Sequence, residues 1–283
     1  TDPTALNYNP LANYDDGSCT YQMTYVPDSE FRITLFLQFG ILFDANNETQ
    51  TSNVNTITSL NVSARGIYDM TGIEDFTGLT NLDVGGNNIT SINVSSNTAL
   101  SWLNCYGNQL TNLDVVNNIV LTYLNCSNNQ ITSLDVSNNT ALTDLRCYGN
   151  QLTSLDVSDN IVLTYLNCKN NQLTSLDLRN GNNINMPGSD VVTLNNMGLL
   201  SINVDDPAWA TINWPLSIGD ANHDGIVNND DLTLVLVNVG QTVTPWTNGD
   251  VNGDGIVNNA DLTLVTNNWL NTANVDAWTT FIA

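Results

Sequence analysis

Positive charge is nearly missing from this chain. Lys and Arg together number 5 in 283 residues, against 28 Asp and Glu, for a formal net charge of -23. A protein so acidic has no basic stripe to neutralise phosphates, which excludes nucleic acid and anionic membrane surfaces as partners. Charge of either sign is scarce, at 12% of residues, roughly half the usual share. Glu occurs only at Glu30, Glu48 and Glu74, and His223 is the single histidine. With one imidazole, no G-x-S-x-G and no phosphate-binding loop, the usual nucleophile, base and phosphate cradle are missing, so the chain is read as non-enzymatic. No apolar run is long enough to insert in a membrane, and none is laid out as a secretory leader. The chain opens on Thr1 rather than Met and reads as a processed or excised form, so export is expected from its segment types alone.

Asn takes the place of charge, at about one residue in six. Much of it recurs in a twenty-one-residue unit: LSWLNCYGNQLTNLDVVNNIV (100–120), LTYLNCSNNQITSLDVSNNTA (121–141), LTDLRCYGNQLTSLDVSDNIV (142–162) and LTYLNCKNNQLTSLDLRNGNN (163–183), with a looser copy at 79–99. A fixed period of this length builds a solenoid, in which each unit buries its apolar edge by stacking on its neighbours. The phrase L-x-x-L-x-C-x-x-N resembles the leucine-rich repeat in a short bacterial form. That resemblance implies an α/β solenoid with a parallel sheet, and a surface for contact rather than a pocket for chemistry.

Within 121–141, Leu121, Leu124, Cys126, Ile131, Leu134 and Val136 are the inward positions, while Thr122, Tyr123 and Asn125 point out from a short strand. Strands are expected at 81–84, 102–105, 123–126, 144–147 and 165–168, and the LTSLDVS half of each unit alternates well enough for a second strand-like segment. Asn129 recurs as Asn87, Asn108, Asn150 and Asn171, and is expected to bond the backbone of its own coil and the next. A second row, Asn97, Asn118, Asn139 and Asn160, is expected to do the same at the opposite bend. Cys105, Cys126, Cys147 and Cys168 form a ladder along the axis and do not converge on a metal. Parallel side chains at equivalent positions reach the disulfide torsion poorly, and Val84 takes the same place in the looser copy, so buried free thiols are expected.

The outward columns carry the candidate ligand contacts. Trp102, Tyr123 and Tyr165 share one, interrupted by Asp144; Tyr106 and Tyr148 share another, alternating with Ser127 and Lys169. Aromatic residues on a solvated strand suit stacking on a glycan or anchoring a protein partner. The competing reading is that they only cover neighbouring Asn and strand edges.

Both ends of the repeat need caps. PDSEFRITLFLQFG (27–40) carries a helix start at Asp28 and Ser29, a stop at Gly40, and Phe31, Leu35 and Phe39 at i, i+4 and i+8 as its packing face. ITSLNVSARGIYDMTGIEDF (57–76) reads as a degenerate first coil. At the far end Trp209 and Trp214 are the expected plug, and Asp205 with Asp206 a turn.

Residues 1–20 contain D-P-T-A-x-N-Y-N-P and D-D-G-S-C, similar to the calcium-binding thrombospondin type 3 repeat of bacterial surface proteins. In that family a Cys precedes the opening Thr, which implies that Cys19 lacks its partner here. A calcium ion near Asp2–Asp16 and a metal-free spacer both stay open.

GDANHDGIVNNDDLTLVLVNVG (219–240) and GDVNGDGIVNNADLTLVTNNW (249–269) are the strongest chemical motif. Each reads D-x-N-x-D-G-I-V-N-x-x-D-L, placing oxygens at loop positions 1, 3, 5, 9 and 12 around a Gly that permits the sharp turn. The expected calcium ligands are Asp220, Asn222, Asp224, Asn228 (directly or through water) and Asp231, with the Ile226 carbonyl. In the second loop they are Asp250, Asn252, Asp254, Asn258 and Asp261, with the Ile256 carbonyl. Hard oxygen donors on a flexible loop favour calcium over magnesium or zinc. Asp at position twelve, one helix after each loop and duplication thirty residues apart resemble the dockerin module. That likeness implies either a cohesin-like partner or a calcium-stapled end. Asn229–Asp230 and Asn259–Ala260 depart from the Ser-Thr pair of cellulosomal types, which bears on cohesin and not on the metal.

Three segments are thus expected: 1–20, a capped repeat over 21–218, and a small helical calcium-loop module over 219–283. The leading functional reading is recognition or adhesion at a bacterial surface or extracellular matrix. Rivals are a filament subunit self-assembled head to tail through its terminal modules, and a non-catalytic subunit of a polysaccharide-degrading assembly.

Overall fold

A computed structural model describes residues 6–7, 20–186, 191–192, 196, 201–205, 229–243, 249, 251 and 256–269. The chain divides into two units, Thr1–Leu142 and Thr143–Ala283. Each is taken by itself.

The first unit opens with an antiparallel pair, β1 (Met23–Tyr25) and β2 (Glu48–Gln50), joined through helix α1 (Ser29–Phe39). Asp28 caps that helix: its Oδ1 accepts the Phe31 N–H at 3.0 Å, while its Oδ2 accepts the Tyr68 N–H at 2.9 Å. One carboxylate therefore satisfies a helix start and ties it to the first coil. Gly40, at φ 70°, ends the helix, its N–H returning to the Phe36 carbonyl. Phe31 and Leu35 are buried as expected, and Phe31 stacks on Phe76 with centroids 5.9 Å apart. Phe39 corrects the expected face, being 41% exposed. At about 100° per residue an i+8 side chain has rotated some 80° off the i position, so it leaves the buried stripe.

Four parallel strands follow, β3 (Ser59–Asn61), β4 (Asn81–Asp83), β5 (Trp102–Asn104) and β6 (Tyr123–Asn125), with Ser59, Asn81, Trp102 and Tyr123 in register. The degenerate segment is thus a coil with its own strand. Each predicted strand ends one residue early, although the ladder bond persists as Cys105 N–H to the Asn125 carbonyl at 2.8 Å. The chain then turns through Gly86, Gly107 and Asn128 at φ 67°, 65° and 52°. Gly and Asn tolerate this left-handed region where other residues are strained.

In the second unit β7 (Asp144–Arg146), β9 (Tyr165–Asn167) and β11 (Val191–Val192) are parallel, and a second parallel row joins β8 (Ser154–Asp156), β10 (Ser175–Asp177) and β12 (Ser201–Asn203). The expected second strand is present in these coils, while 112–114 and 133–135 in the first unit stay extended without it. Asp205 does serve a turn: it accepts the Gly181 N–H at 2.9 Å and donates its own N–H to Asn183 Oδ1 at 2.8 Å.

Inward columns match the repeat reading. Leu82, Leu103 and Leu124 are buried, as are Val84, Cys105 and Cys126 beside them; Leu145 with Leu166 and Cys147 with Cys168 repeat this in the second unit. All four of these thiols are free and buried. Burial pushes the Cys126 and Cys168 thiols up to about 12 and Cys105 also well above the ordinary value.

The Asn rows close the bends. Asn129 Nδ2 donates to the Cys126 and Cys105 carbonyls, both at 3.0 Å, and its Oδ1 accepts the Leu110 N–H at 3.0 Å. The bonds run to its own coil and the preceding one, not the following one as expected. Asn196 joins this row unannounced, donating to the Cys168 carbonyl and accepting from Leu173 N–H. In the second row Asn118 Nδ2 donates to the Val94 and Asn97 carbonyls at 3.0 and 2.9 Å. The Oδ1 atoms of Asn97 and Asn118 are buried with no hydrogen-bond partner.

Helices α2 (Asn229–Asn238) and α3 (Asn259–Trp269) each start near the end of a predicted calcium loop. Val235, Val251, Val257 and Val265 form their small core, with Leu234, Val243 and Leu262 packed against it. An antiparallel bridge pairs Thr242 with Ile256. Gly249 sits at φ 94° against α2, where a Cβ would lie 2.8 Å from the Leu234 carbonyl oxygen, so only glycine fits. The expected plug Trp209 and Trp214, Asp206, His223, and most of 1–20 including Asp2, Asp16 and Cys19 lie outside the described residues.

Candidate binding face and calcium loops

Register decides what the outward face presents. Because β5 and β6 run parallel at about 4.8 Å spacing, Trp102 and Tyr123 stand side by side. Their rings stack with centroids 5.0 Å apart and planes 8° from parallel, and both are half-buried. Each ring thus spends one flat face on the other. Along the same strands Asn104 Nδ2 donates to Asp83 Oδ1 at 3.0 Å, and Asn125 Oδ1 accepts the Ser127 N–H at 3.2 Å. Tyr106 lies beyond them and is exposed.

The second unit treats its aromatics differently. The Arg146 guanidinium lies over the Tyr165 ring at 4.9 Å and bonds Asp144 with both ends of its fork, at 2.9 and 3.0 Å. Lys169 Nζ lies 5.3 Å from the Tyr148 ring centre. Two of the five basic residues in the chain therefore cover ring faces. Arg146 was missed as a face residue; its place two positions after Asp144, beside the Tyr165 column, was the available signal. A third basic residue, Arg179, pairs with Asp177 and holds that carboxyl down at about 2 through its side-chain hydrogen bond.

Of the predicted calcium ligands, Ile256, Asn258 and Asp261 are fully described. Asp261 is fully buried, its Oδ1 accepting the Val251 N–H at 2.7 Å and its Oδ2 the Asn258 N–H at 2.8 Å. Asn258 caps α3, accepting the Ala260 N–H at 2.8 Å, and its Nδ2 donates to the Ile256 carbonyl at 3.0 Å. Asp231 lies in α2 by its backbone. Asp220, Asn222, Asp224, Ile226, Asn228, Asp250, Asn252 and Asp254 lie outside the described residues. The described donors fit calcium in kind. Each is an oxygen donor, and the buried Asp261 carboxylate is held by the Val251 and Asn258 N–H groups at the loop's closing position.

Residues 119–160 match the family model described as Leucine Rich repeats (2 copies). No curated protein matches the chain. Among solved structures, the functional domain of InlJ from Listeria monocytogenes, which includes a cysteine ladder, is 36% identical over 66% of this chain and 49% of that one, at a TM-score of 0.53. An internalin (inlF) from the same species is 20% identical, covering 63% of this chain and 56% of that one, at 0.46. A leucine-rich repeat protein of Leptospira interrogans is 22% identical, covering 54% and 45%, at 0.42. The chain spans about half the length of these structures. The match identifies leucine-rich repeats at residues 119–160, and the InlJ domain likewise includes a cysteine ladder.

Proposed function

We propose that this chain is an exported, non-enzymatic recognition protein that binds a protein ligand through the outward strand faces of its leucine-rich repeats. The observation that carries the reading is the Trp102–Tyr123 pair. A sugar stacks on the flat face of a ring, and here one face of each ring is already used within the pair, which reduces the surface open to a sugar. Ring edges, the indole N–H and the phenol instead suit the apolar and carbonyl groups of a protein. Asn104, Asn125 and the exposed Tyr106 add polar contacts at low conformational cost. The acidity of the chain favours a partner with a basic rim.

The C-terminal loops, in this reading, form a dockerin-like module that takes two calcium ions. Asp220, Asn222, Asp224, Ile226, Asn228 and Asp231 would hold one ion; Asp250, Asn252, Asp254, Ile256, Asn258 and Asp261 would hold the other. Calcium would supply positive charge to loops that otherwise bring carboxylates together. Such loops fill where calcium is abundant, which accords with a secreted or surface location. Among the described residues no helix is long and apolar enough to cross a membrane.

The test uses fluorescent full-length protein on panels of intact cells, before and after surface proteolysis, and on an immobilised glycan array. Binding should disappear on proteolysis and in the Trp102→Ala/Tyr123→Ala variant, with circular dichroism unchanged. Binding to glycans that survives proteolysis, or full binding by the double variant, overturns the reading.

A further inference from the structure

Helix α1 is apolar on both sides. Its inner side, Phe31, Thr34 and Leu35, is buried. On the outer side Ile33, Phe36 and Leu37 form a stripe, 48%, 51% and 69% exposed; Phe39 at the helix end and Leu42, two residues past the Gly40 cap, are also exposed at 41% and 72%. A surface helix ordinarily carries polar groups there. The polar residues of this helix do not screen the stripe. Arg32 Nη1 donates to the Val26 and Pro27 carbonyls, and Gln38 donates to the Asn61 carbonyl. A terminal cap needs one apolar face against its neighbouring coil. The second leaves about half or more of each side chain exposed.

We infer that this outer stripe pairs two copies of the chain, α1 against α1 about a two-fold axis. Large apolar side chains carry about 150–250 Å² each, so five at these exposures present roughly 500 Å². That is near the top of the range for the largest patch on a monomer, about 300–600 Å². Two such patches together reach about 1,000 Å², the floor for a specific interface. Local charge fits the same occupant. In a chain of net charge -23 this face carries one acid, Glu30, at its N-terminal end in the first turn. An antiparallel arrangement puts the two Glu30 side chains at opposite ends and opposes the two helix dipoles. A contact of this symmetry uses the same patch on both partners, so it closes at two and builds no filament. Each chain's net negative charge resists the approach, and salt relieves that resistance.

Sedimentation equilibrium of the full chain tests this at about 0.05 M and 0.5 M NaCl. An interface at this size floor should give a monomer–dimer equilibrium with a dissociation constant of roughly 1–100 µM. The higher salt should tighten it about threefold or more. Leu37→Asp should weaken the dimer at least about 30-fold with the folded circular-dichroism spectrum retained, since Leu37 is 69% exposed, and Phe36→Ser should also weaken it. A monomer at every concentration and both salts overturns the inference. So does a dimer that neither variant affects, or one that salt weakens.

Discussion

The coil from Leu100 to Val120 buries Leu103, Cys105, Leu110, Leu113 and Val115 together with two amides, Asn108 and Asn118, whereas α2 and α3 close on four valines and the carboxylate of Asp261. Both interiors are small and both contain polar groups. The coil's groups are neutral. Asn108 donates to the Val84 and Cys105 carbonyls, and its oxygen accepts the Ile89 N–H. Neutral amides of this kind leave no charge for an ion to balance. The helix pair instead buries the carboxylate of Asp261, which accepts the Val251 and Asn258 N–H groups at the closing position of a proposed calcium loop. The difference teaches where to look for dependence on conditions: the coils should be indifferent to calcium, and the helix pair should not.

The largest expected effect falls inside the coil. Asn129→Ala removes four backbone hydrogen bonds and strands their partners, at a cost of about 3–5 kcal/mol in urea unfolding. Asn118→Ala removes two and also deletes a buried oxygen that has no partner, so about 1–3 kcal/mol is expected. Equal losses would break the distinction between the two rows.

Next comes the thiol column. Cys126→Ser should cost about 1–3 kcal/mol, since a hydroxyl is more costly than a thiol to bury in this apolar slot. Cys126→Val should cost less than about 1.5 kcal/mol, because valine already fills this column at Val84. Mass spectrometry should find the four thiols reduced and slow to alkylate in the folded chain.

Alkali sharpens the same point. The Cys126 and Cys168 thiols are raised to about 12 in the folded state. Their contribution is therefore intact below the unfolded thiol value near 8.5 and is lost as pH rises toward 12. Melting temperature should fall steadily from pH 8.5 upward, by about 2 kcal/mol of stability per thiol at pH 10. The smallest effect is acidic. Asp177 is depressed to about 2, so its contribution is present above the unfolded carboxylate value near 3.9 and fades as pH falls through 2. This carboxylate is mostly solvated, so Arg179→Ala should raise its titration midpoint by NMR and barely move the melting curve.

The inward columns were legible because a strict period assigns every Leu, Cys and Val to a side, and the Asn87 row was legible for the same reason. Asn196 was not, because the period breaks after Asn183 and it falls twenty-five residues beyond Asn171. The candidate face was half legible. Sharing a column put Trp102 beside Tyr123, but whether rings meet face to face depends on side-chain torsions that spacing leaves undetermined. The outer stripe of α1 was missed because the i, i+4, i+8 pattern draws the eye to Phe39 and away from Ile33, Phe36 and Leu37. For the calcium loops the motif named donors by type and position, and the burial of Asp261 adds a physical reason for a cation there.

Differential scanning calorimetry of the full chain, with millimolar calcium and then with chelator, tests the contrast most directly. The account predicts two transitions: a lower one from the helix pair that rises with calcium and collapses on chelation, and an upper one from the repeats that stays fixed. A calcium-insensitive trace, or a repeat transition that shifts with the metal, would contradict it.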